Sequence, residues 1–496
     1  MNDKKTSFNI LPFIGIFLIT LFTCFVLNIT SGTLLCARYI IALIIAAAVL
    51  ILMVYTGKVK ITDVTFIIGS GVLLRWLYII YTETWERQHD VVAFGAGEGQ
   101  AAYIEYFLSN KSLPQFDPRS IWGFFQPPLH HIISAIWMKI SLVLGFSDIQ
   151  AQESVQGLTF FYMSAVLILA YFICKELELG KWGTRVALLI VSMHPVYILL
   201  SGSINNDALS LLFSVLALYL VILWYKNPNM ITIILLALSI GLAMFAKLSG
   251  YMIAPAVAAV FILKFVETIK EKGPVIKYIL EYVIFAVICV PIGLFWTVRN
   301  MIKFNMPVSY IPEVGGQFEG GFYSRILDFG MDSVFPALTE NGDAYSDHNI
   351  FLSMLKTSLF GEYNYAAKSK IFTPVCTVLF IVAAVLALIA FIATIILIFS
   401  KKSPLKREWK WLFGILYLTV MASYLGFALS YNNFSAQDFR YAAIVIIVEA
   451  VMLGIFTDKS FEEEKTVLLS KIIIGASALF GVCSFITYVL LGFMSK

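Results

Sequence analysis

Charge is what this 496-residue chain has least of. Asp, Glu, Lys and Arg make up 13% of it, against the roughly 25% of ordinary soluble domains. The shortage runs from end to end, which excludes a soluble enzyme with a single anchor. Cysteine is scarce too: Cys24, Cys36, Cys174, Cys289, Cys376 and Cys483 each lie alone in an apolar stretch. That excludes a disulfide framework or a CxxC metal pair and leaves burial as small hydrophobes as the expectation. No HExxH or comparable ligand spacing occurs. No internal repeat is visible, which counts against the inverted-repeat transporters. A net charge of +4 offers too little to hold nucleic acid.

What is present is apolar sequence, 60% of the chain. Runs of about 20 apolar residues recur, each long enough to cross a ~30 Å hydrocarbon core, and in lipid such runs must be helices. Thirteen spans are expected, near 8–28, 35–55, 62–81, 155–174, 183–200, 207–224, 230–247, 249–266, 278–298, 372–399, 410–430, 438–456 and 468–492. The opening apolar run reads as a retained first helix, since no A-x-A-like cleavage site follows it.

The stretch 128–146 is ambiguous, and charge decides it. If it crossed, the linker Lys175–Arg185, the segment Lys264–Lys277 and the run KKSPLKREWK would all fall outside. If it does not cross, all three are cytoplasmic, as the positive-inside bias demands. It is therefore expected to lie on, or dip into, the outer leaflet, started by Pro127 and Pro128. The result is an all-α integral membrane protein with about 13 transmembrane helices and two large extracytoplasmic loops, the first containing a juxtamembrane helix. Residues 1–298 form an N-terminal module including the loop 82–154. Residues 299–371 form the second loop, and 372–496 the C-terminal helices.

Polar residues gather on the outer side. The first loop carries Glu86, Arg87, His89, Asp90, Glu98, Glu105, Asp117, Arg119, His130 and His131 among many aromatics. His89-Asp90 sets an imidazole and a carboxylate close to the outer surface. All five histidines map to the outer half, but His130 and His131 are neighbours and on a helix point about 100° apart, so they do not readily share one metal. A divalent metal held by Asp90 and a distant histidine stays open. SGSINNDALS places Asn205, Asn206 and Asp207 at a helix mouth, where Asn206 or Asp207 is the expected N-cap. Lys247 falls between two apolar runs, Arg299 at the end of a span and Arg440 at the start of one. Boundary cations in lipid are functional by default, although an arginine there can also snorkel to headgroups. Glu362 stands just before a late span.

The order of these elements resembles the GT-C superfamily of membrane glycosyltransferases, in particular the protein O-mannosyltransferase and aminoarabinose-transferase branch. The resemblance covers most of the chain after residue 60. It rests on the acidic Asp90 early in the outer loop, on Gln126-Pro127-Pro128-Leu129-His130-His131 at its end, and on Asn206-Asp207. It continues with Ala246-Lys247-Leu248-Ser249-Gly250, with Trp296, Arg299 and Asn300, and with Gln437, Arg440 and Tyr441. The Asp-Glu pair or DxD common in that family is missing, which leaves metal use open.

The resemblance implies a polyprenyl-phosphate sugar donor, a lipid, glycan or protein acceptor, and transfer with inversion on the extracytoplasmic face of the cell membrane. Asp90 is then the expected catalytic base. His89, His130, His131, Asn205, Asn206, Asp207, Lys247, Arg299, Glu362, Arg440 and Tyr441 are the expected substrate-binding set. Two of Lys247, Arg299 and Arg440 should face one cavity, with Arg440 on the donor phosphate. A lipid-linked saccharide flippase or polymerase is the alternative. It would bury more charge mid-span than Arg75 and Glu449 supply.

Overall fold

The computed structural model describes residues 9–29, 35–57, 60–88, 90–308, 310–312, 321–336, 348–363, 365, 371–431 and 433–494. Among these residues the chain is helical, with no strand. The amino-terminal helices are α1 (Leu11–Ile29), α2 (Leu35–Tyr55) and α3 (Val64–Tyr81). The first loop holds α4 (Gly99–Asn110) and α5 (Leu129–Val143). Then come α6 (Asp148–Glu176), α7 (Lys181–Met193), α8 (Pro195–Gly202), α9 (Asn206–Lys226), α10 (Met230–Ala246), α11 (Ala254–Lys270) and α12 (Val275–Phe304). The second loop carries α13 (Phe322–Leu327) and α14 (Ile350–Phe360). The chain closes with α15 (Phe372–Phe399), α16 (Arg407–Ser430), α17 (Val445–Glu462) and α18 (Val467–Met494).

Each of the thirteen expected spans coincides with a helix or a helix pair. By length and apolarity, nine described helices can cross a membrane, or up to eleven if two bent pairs each count as one span. The helices near 11–26 and 230–246 are apolar but shorter. The stretch 128–146 forms α5, whose 15 residues reach only about 22 Å at 1.5 Å per residue, short of the hydrocarbon thickness. It packs on α4 and α6. The five described cysteines, Cys24, Cys174, Cys289, Cys376 and Cys483, are buried and free.

The core is centred on α6, α7, α9 and α17, while α2 and α12 turn most of their surface outward. Three departures from straight helices mark the bundle. At His194-Pro195 the chain bends by 42° between α7 and α8, because proline has no N–H to give the preceding turn. The fully buried Arg75 fills that gap: its guanidinium donates to the carbonyls of Ser192 (2.7 Å), Val191 (3.0 Å) and Gly71 (2.9 Å). This mid-span cation is therefore a helix cap. The second bend, 50°, separates the 3-10 turns at Phe434–Ala442 from α17 and carries Arg440. A third interruption lies between α10 and the 3-10 turn Leu248–Ile253, where Lys247 takes an extended conformation.

Candidate functional site

Asp90 sits in a stretch of unusual backbone. Arg87, Asp90 and Val92 all have positive φ, near +55°, a region costly for residues with a side chain. The head of α4 holds them there: the Gln100 N–H donates to the Asp90 carbonyl (3.2 Å) and the Ala101 N–H to the Val91 carbonyl (3.0 Å). Gly99 is obligatory at this junction. Its φ is +80°, and a Cβ would stand 2.4 Å from the Val91 carbonyl oxygen. Its N–H donates to the Trp122 carbonyl (2.9 Å), which draws the end of the first loop, Trp122–Pro127, over the same spot.

The second strand of the site is the mouth of α9. The N-cap is Asn205, whose side chain accepts from the Asp207 N–H at 2.8 Å, rather than Asn206 or Asp207 as expected. That shift of one position frees the next two side chains. Asn206 donates to the Ala246 carbonyl (3.0 Å) while its backbone N–H donates to Gln100 Oε1 (3.0 Å). Asp207 turns to the cations. Its Oδ1 receives Lys247 Nζ at 2.5 Å, and its Oδ2 lies 3.6 Å from Arg440 Nε.

Arg440 is the hub. Its side chain is 1% exposed, and its Nη2 donates to Asp90 Oδ2 (2.6 Å) and to the Tyr441 hydroxyl (2.9 Å). Asp438 caps the turn by accepting the Arg440 N–H (2.9 Å), and its Oδ2 stands 3.7 Å from Nε. The Tyr441 ring lies 4.7 Å from Lys247 Nζ and 4.9 Å from the Arg440 guanidinium, close enough for cation–π attraction. Even so, Arg440 Nη1 is buried with no hydrogen-bond partner among the described residues, and Nε has only the two carboxylates at 3.6 and 3.7 Å. A buried guanidinium with a spare donor is suited to an anion.

Two cavities meet here. The larger, about 460 Å³, is lined by Asp90, Asn206, Lys247 and Tyr441 and by an aromatic wall including Trp122, Phe125 and Trp296. The smaller, about 50 Å³, is lined by Asp207 and Arg440. Tyr441, Ser249 and Met252 belong to both.

Other expected members lie elsewhere. Arg299 donates to Asn300 Oδ1 (2.6 Å) and to the Pro114 carbonyl, and stacks over Trp296; it lines neither cavity. It ties α12 to the first loop, because its position at the helix end puts it beside loop carbonyls. His130 and His131 are fully buried in α5, with the His131 ring 4.4 Å from that of Tyr103. Burial pushes His130 down to about 4 and His131 well below the ordinary imidazole value, so both are neutral at pH 7. The apolar face of α5 that they share carries them into the core. Glu362 is half-buried after α14, within electrostatic reach of Arg440 but not lining either cavity. Asp117 is bound to Arg119 (2.6 Å), whose hydrogen bonds hold it below the usual carboxylate range. His89 lies outside the described residues. No group of three His, Cys, Asp or Glu with metal-binding geometry occurs among the described residues. Gln126 joins the site as the first residue of the Gln126–His131 motif, while Gln100 and Asp438 join it without having been singled out in the sequence; the adjacency of Asp438 to Gln437 and Arg440 was the available signal.

Comparison with known proteins follows the same outline. A family model described as Dolichyl-phosphate-mannose-protein mannosyltransferase matches residues 152–306, less than half of the chain. No curated protein matches the sequence. The archaeal oligosaccharyltransferase AglB from Archaeoglobus fulgidus, in complex with an inhibitory peptide and a dolichol-phosphate, is 14% identical with a TM-score of 0.50. That match covers 87% of this chain and 56% of AglB. ArnT from Cupriavidus metallidurans bound to undecaprenyl phosphate is 11% identical with a TM-score of 0.49, covering 88% of this chain and 77% of ArnT. The chain thus spans little more than half the length of the oligosaccharyltransferase. The chain has the GT-C fold, and the match to the mannosyltransferase family model falls within it at residues 152–306.

Proposed function

We propose that the chain moves a glycosyl group from a polyprenyl-phosphate donor to an acceptor hydroxyl on the extracytoplasmic face, with inversion at the sugar carbon. The observation that carries this reading is the meeting of Asp90, from the first loop and lining the larger cavity, with Arg440, from a late bent span and lining the smaller one. A carboxylate and a guanidinium held together there supply the two things the reaction requires. The acceptor oxygen must lose a proton, which Asp90 takes. The bond from the sugar carbon to the phosphate oxygen must break, and the phosphate leaves with the electron pair, stabilised by a fixed cation.

Arg440 has Nη1 to offer that phosphate, and Lys247 adds a point charge from the wall of the larger cavity. The guanidinium holds the Asp90 carboxylate in place at 2.6 Å, and an incoming phosphate competes for that guanidinium. The matched family is named for a dolichyl-phosphate sugar donor, and the oligosaccharyltransferase of like fold holds a dolichol-phosphate; both favour a lipid-phosphate donor. Where a divalent metal is used, Asp90 is the carboxylate placed to meet it at the cavity.

The test is direct. Purified protein is incubated with a panel of radiolabelled polyprenyl-phosphate sugars together with lipid, glycan and peptide acceptors. Loss of label from one donor and its appearance on an acceptor with inverted configuration are expected. Movement of intact lipid-linked sugar across a bilayer, without cleavage, would instead favour a flippase.

A further inference from the structure

Three carboxamides line the larger cavity beside Asp90: Gln100 from the head of α4, Gln126 from the turn before α5, and Asn206 from the first turn of α9. Asn206 ties them together. Its backbone N–H donates to Gln100 Oε1 at 3.0 Å, and its Nδ2 donates to the Ala246 carbonyl at 3.0 Å and reaches Gln126 Oε1 at 3.5 Å. These bonds decide which end of each amide is used. Both glutamines turn an oxygen toward Asn206, so their NH2 groups make no hydrogen bond to the described residues. Asn206 Oδ1 is buried and has no partner among them either. A buried amide oxygen left unpaired is costly, and here it belongs to the same cavity lining as the two glutamine NH2 groups.

We propose that Gln100, Gln126 and Asn206 read the hydroxyl groups of the transferred sugar, and that this sugar is uncharged and polyhydroxylated. The inference rests on the glycosyl-transfer reading above and names its substrate class. A hydroxyl both donates and accepts, which matches a wall offering NH2 groups and a carbonyl oxygen side by side. Trp296 and Phe125, in the same wall, cover the apolar faces of a sugar ring. Among the described residues, the charged ones lining this cavity are Asp90 and Lys247. Asp90 is held by Arg440 at 2.6 Å and Lys247 by Asp207 at 2.5 Å. With Lys247 and Arg440 taken up by the donor phosphate, a carboxylate on the sugar would lose its hydration with no further described cation to meet it. An ammonium would stand beside Lys247, a like charge in the same lining.

The experiment uses the purified full chain with three donors on one polyprenyl phosphate: a neutral hexosyl, an aminopentosyl and a hexuronyl group. The neutral donor is expected to exceed both charged ones in kcat/KM by roughly a hundred-fold or more. Faster transfer of a charged sugar overturns the inference and leaves the transferase reading standing. Transfer of none of them, by protein that melts cooperatively, removes both. Gln126→Met then tests the reader itself, because the bond from Asn206 to Gln126 is long and contributes little to folding. The variant is expected to lose roughly ten-fold in kcat/KM with the hexosyl donor. Across a set of monodeoxy hexosyl donors, that loss should vanish for the one lacking the hydroxyl that Gln126 reads. Equal losses with every donor mark a purely structural role and overturn the assignment.

Discussion

Arg440 has a residue-level requirement that a point charge cannot meet. Its Nη2 serves Asp90 and Tyr441 while Nε stands between Asp207 and Asp438. Lysine keeps the charge and loses the planar fork. Arg440→Lys is therefore expected to lower kcat/KM at least about ten-fold, whereas Arg407→Lys, at an exposed helix start, leaves it unchanged; kinetics of the two variants side by side check this. His130 makes a prediction about stability. Its folded value is about 4 against an ordinary 6.5, so between those pH values the unfolded chain binds a proton that the folded chain refuses. Stability is complete above about pH 6.5 and declines as pH falls toward 4, by about 2 kcal/mol at pH 5. Melting in detergent at pH 7 and pH 5 measures the drop, and His130→Asn should shrink it by about that amount, the buried His131 keeping a share of its own. Residue identity was legible for Asp90, Lys247, Arg440 and Tyr441 because charge and hydroxyl at the rim of an apolar run stand out. It misled for His130 and His131, where a titratable side chain on a buried helical face reads the same as one on a ligand-facing side.

At the scale of elements, the charged members of the site occur where a helix is interrupted. Lys247 is extended after α10, Arg440 lies in 3-10 turns ahead of α17, and Asp207 opens α9 behind its Asn205 cap. Interruption frees backbone groups that must be satisfied inside the protein, and the bend between α7 and α8 shows the means, with Arg75 on three carbonyls. Arg75→Leu leaves the Val191 and Ser192 carbonyls at the bend without a donor and is expected to cost about 3 kcal/mol, read as a lowered melting temperature in detergent, while Arg75→Lys recovers part of it. An unchanged melting temperature in the leucine variant would contradict the capping role. The positions of the helices were legible from apolar runs. The bends were not, since Pro195 announces a break but nothing local announces that α3 supplies the cap 117 residues away in sequence.

For the whole molecule, loop charge sets the orientation, and orientation sets the side on which transfer takes place. Lys181 and Ser112 are both exposed. Ser112→Cys is expected to react with an impermeant thiol reagent on intact cells, and Lys181→Cys only after permeabilisation; the reverse pattern would turn the active face to the cytoplasm. The assembly of the site belongs to this scale too. Asp90 and Arg440 are 350 positions apart, and no periodicity or motif spacing in the chain specifies that they touch. It is the packing of the first loop, pinned by Gly99 to Trp122 and by Gln100 to Asn206, that brings Arg440 into contact with Asp90 in the lining of the larger cavity. The central claim is that the carboxylate in this cavity takes the acceptor's proton. It is tested by comparing wild type with Asp90→Asn at a saturating concentration of the preferred labelled donor, with donor binding measured separately. The expected result is binding within a few-fold of wild type and transfer slower by about two to four orders of magnitude. Transfer by Asp90→Asn at the wild-type rate would contradict it.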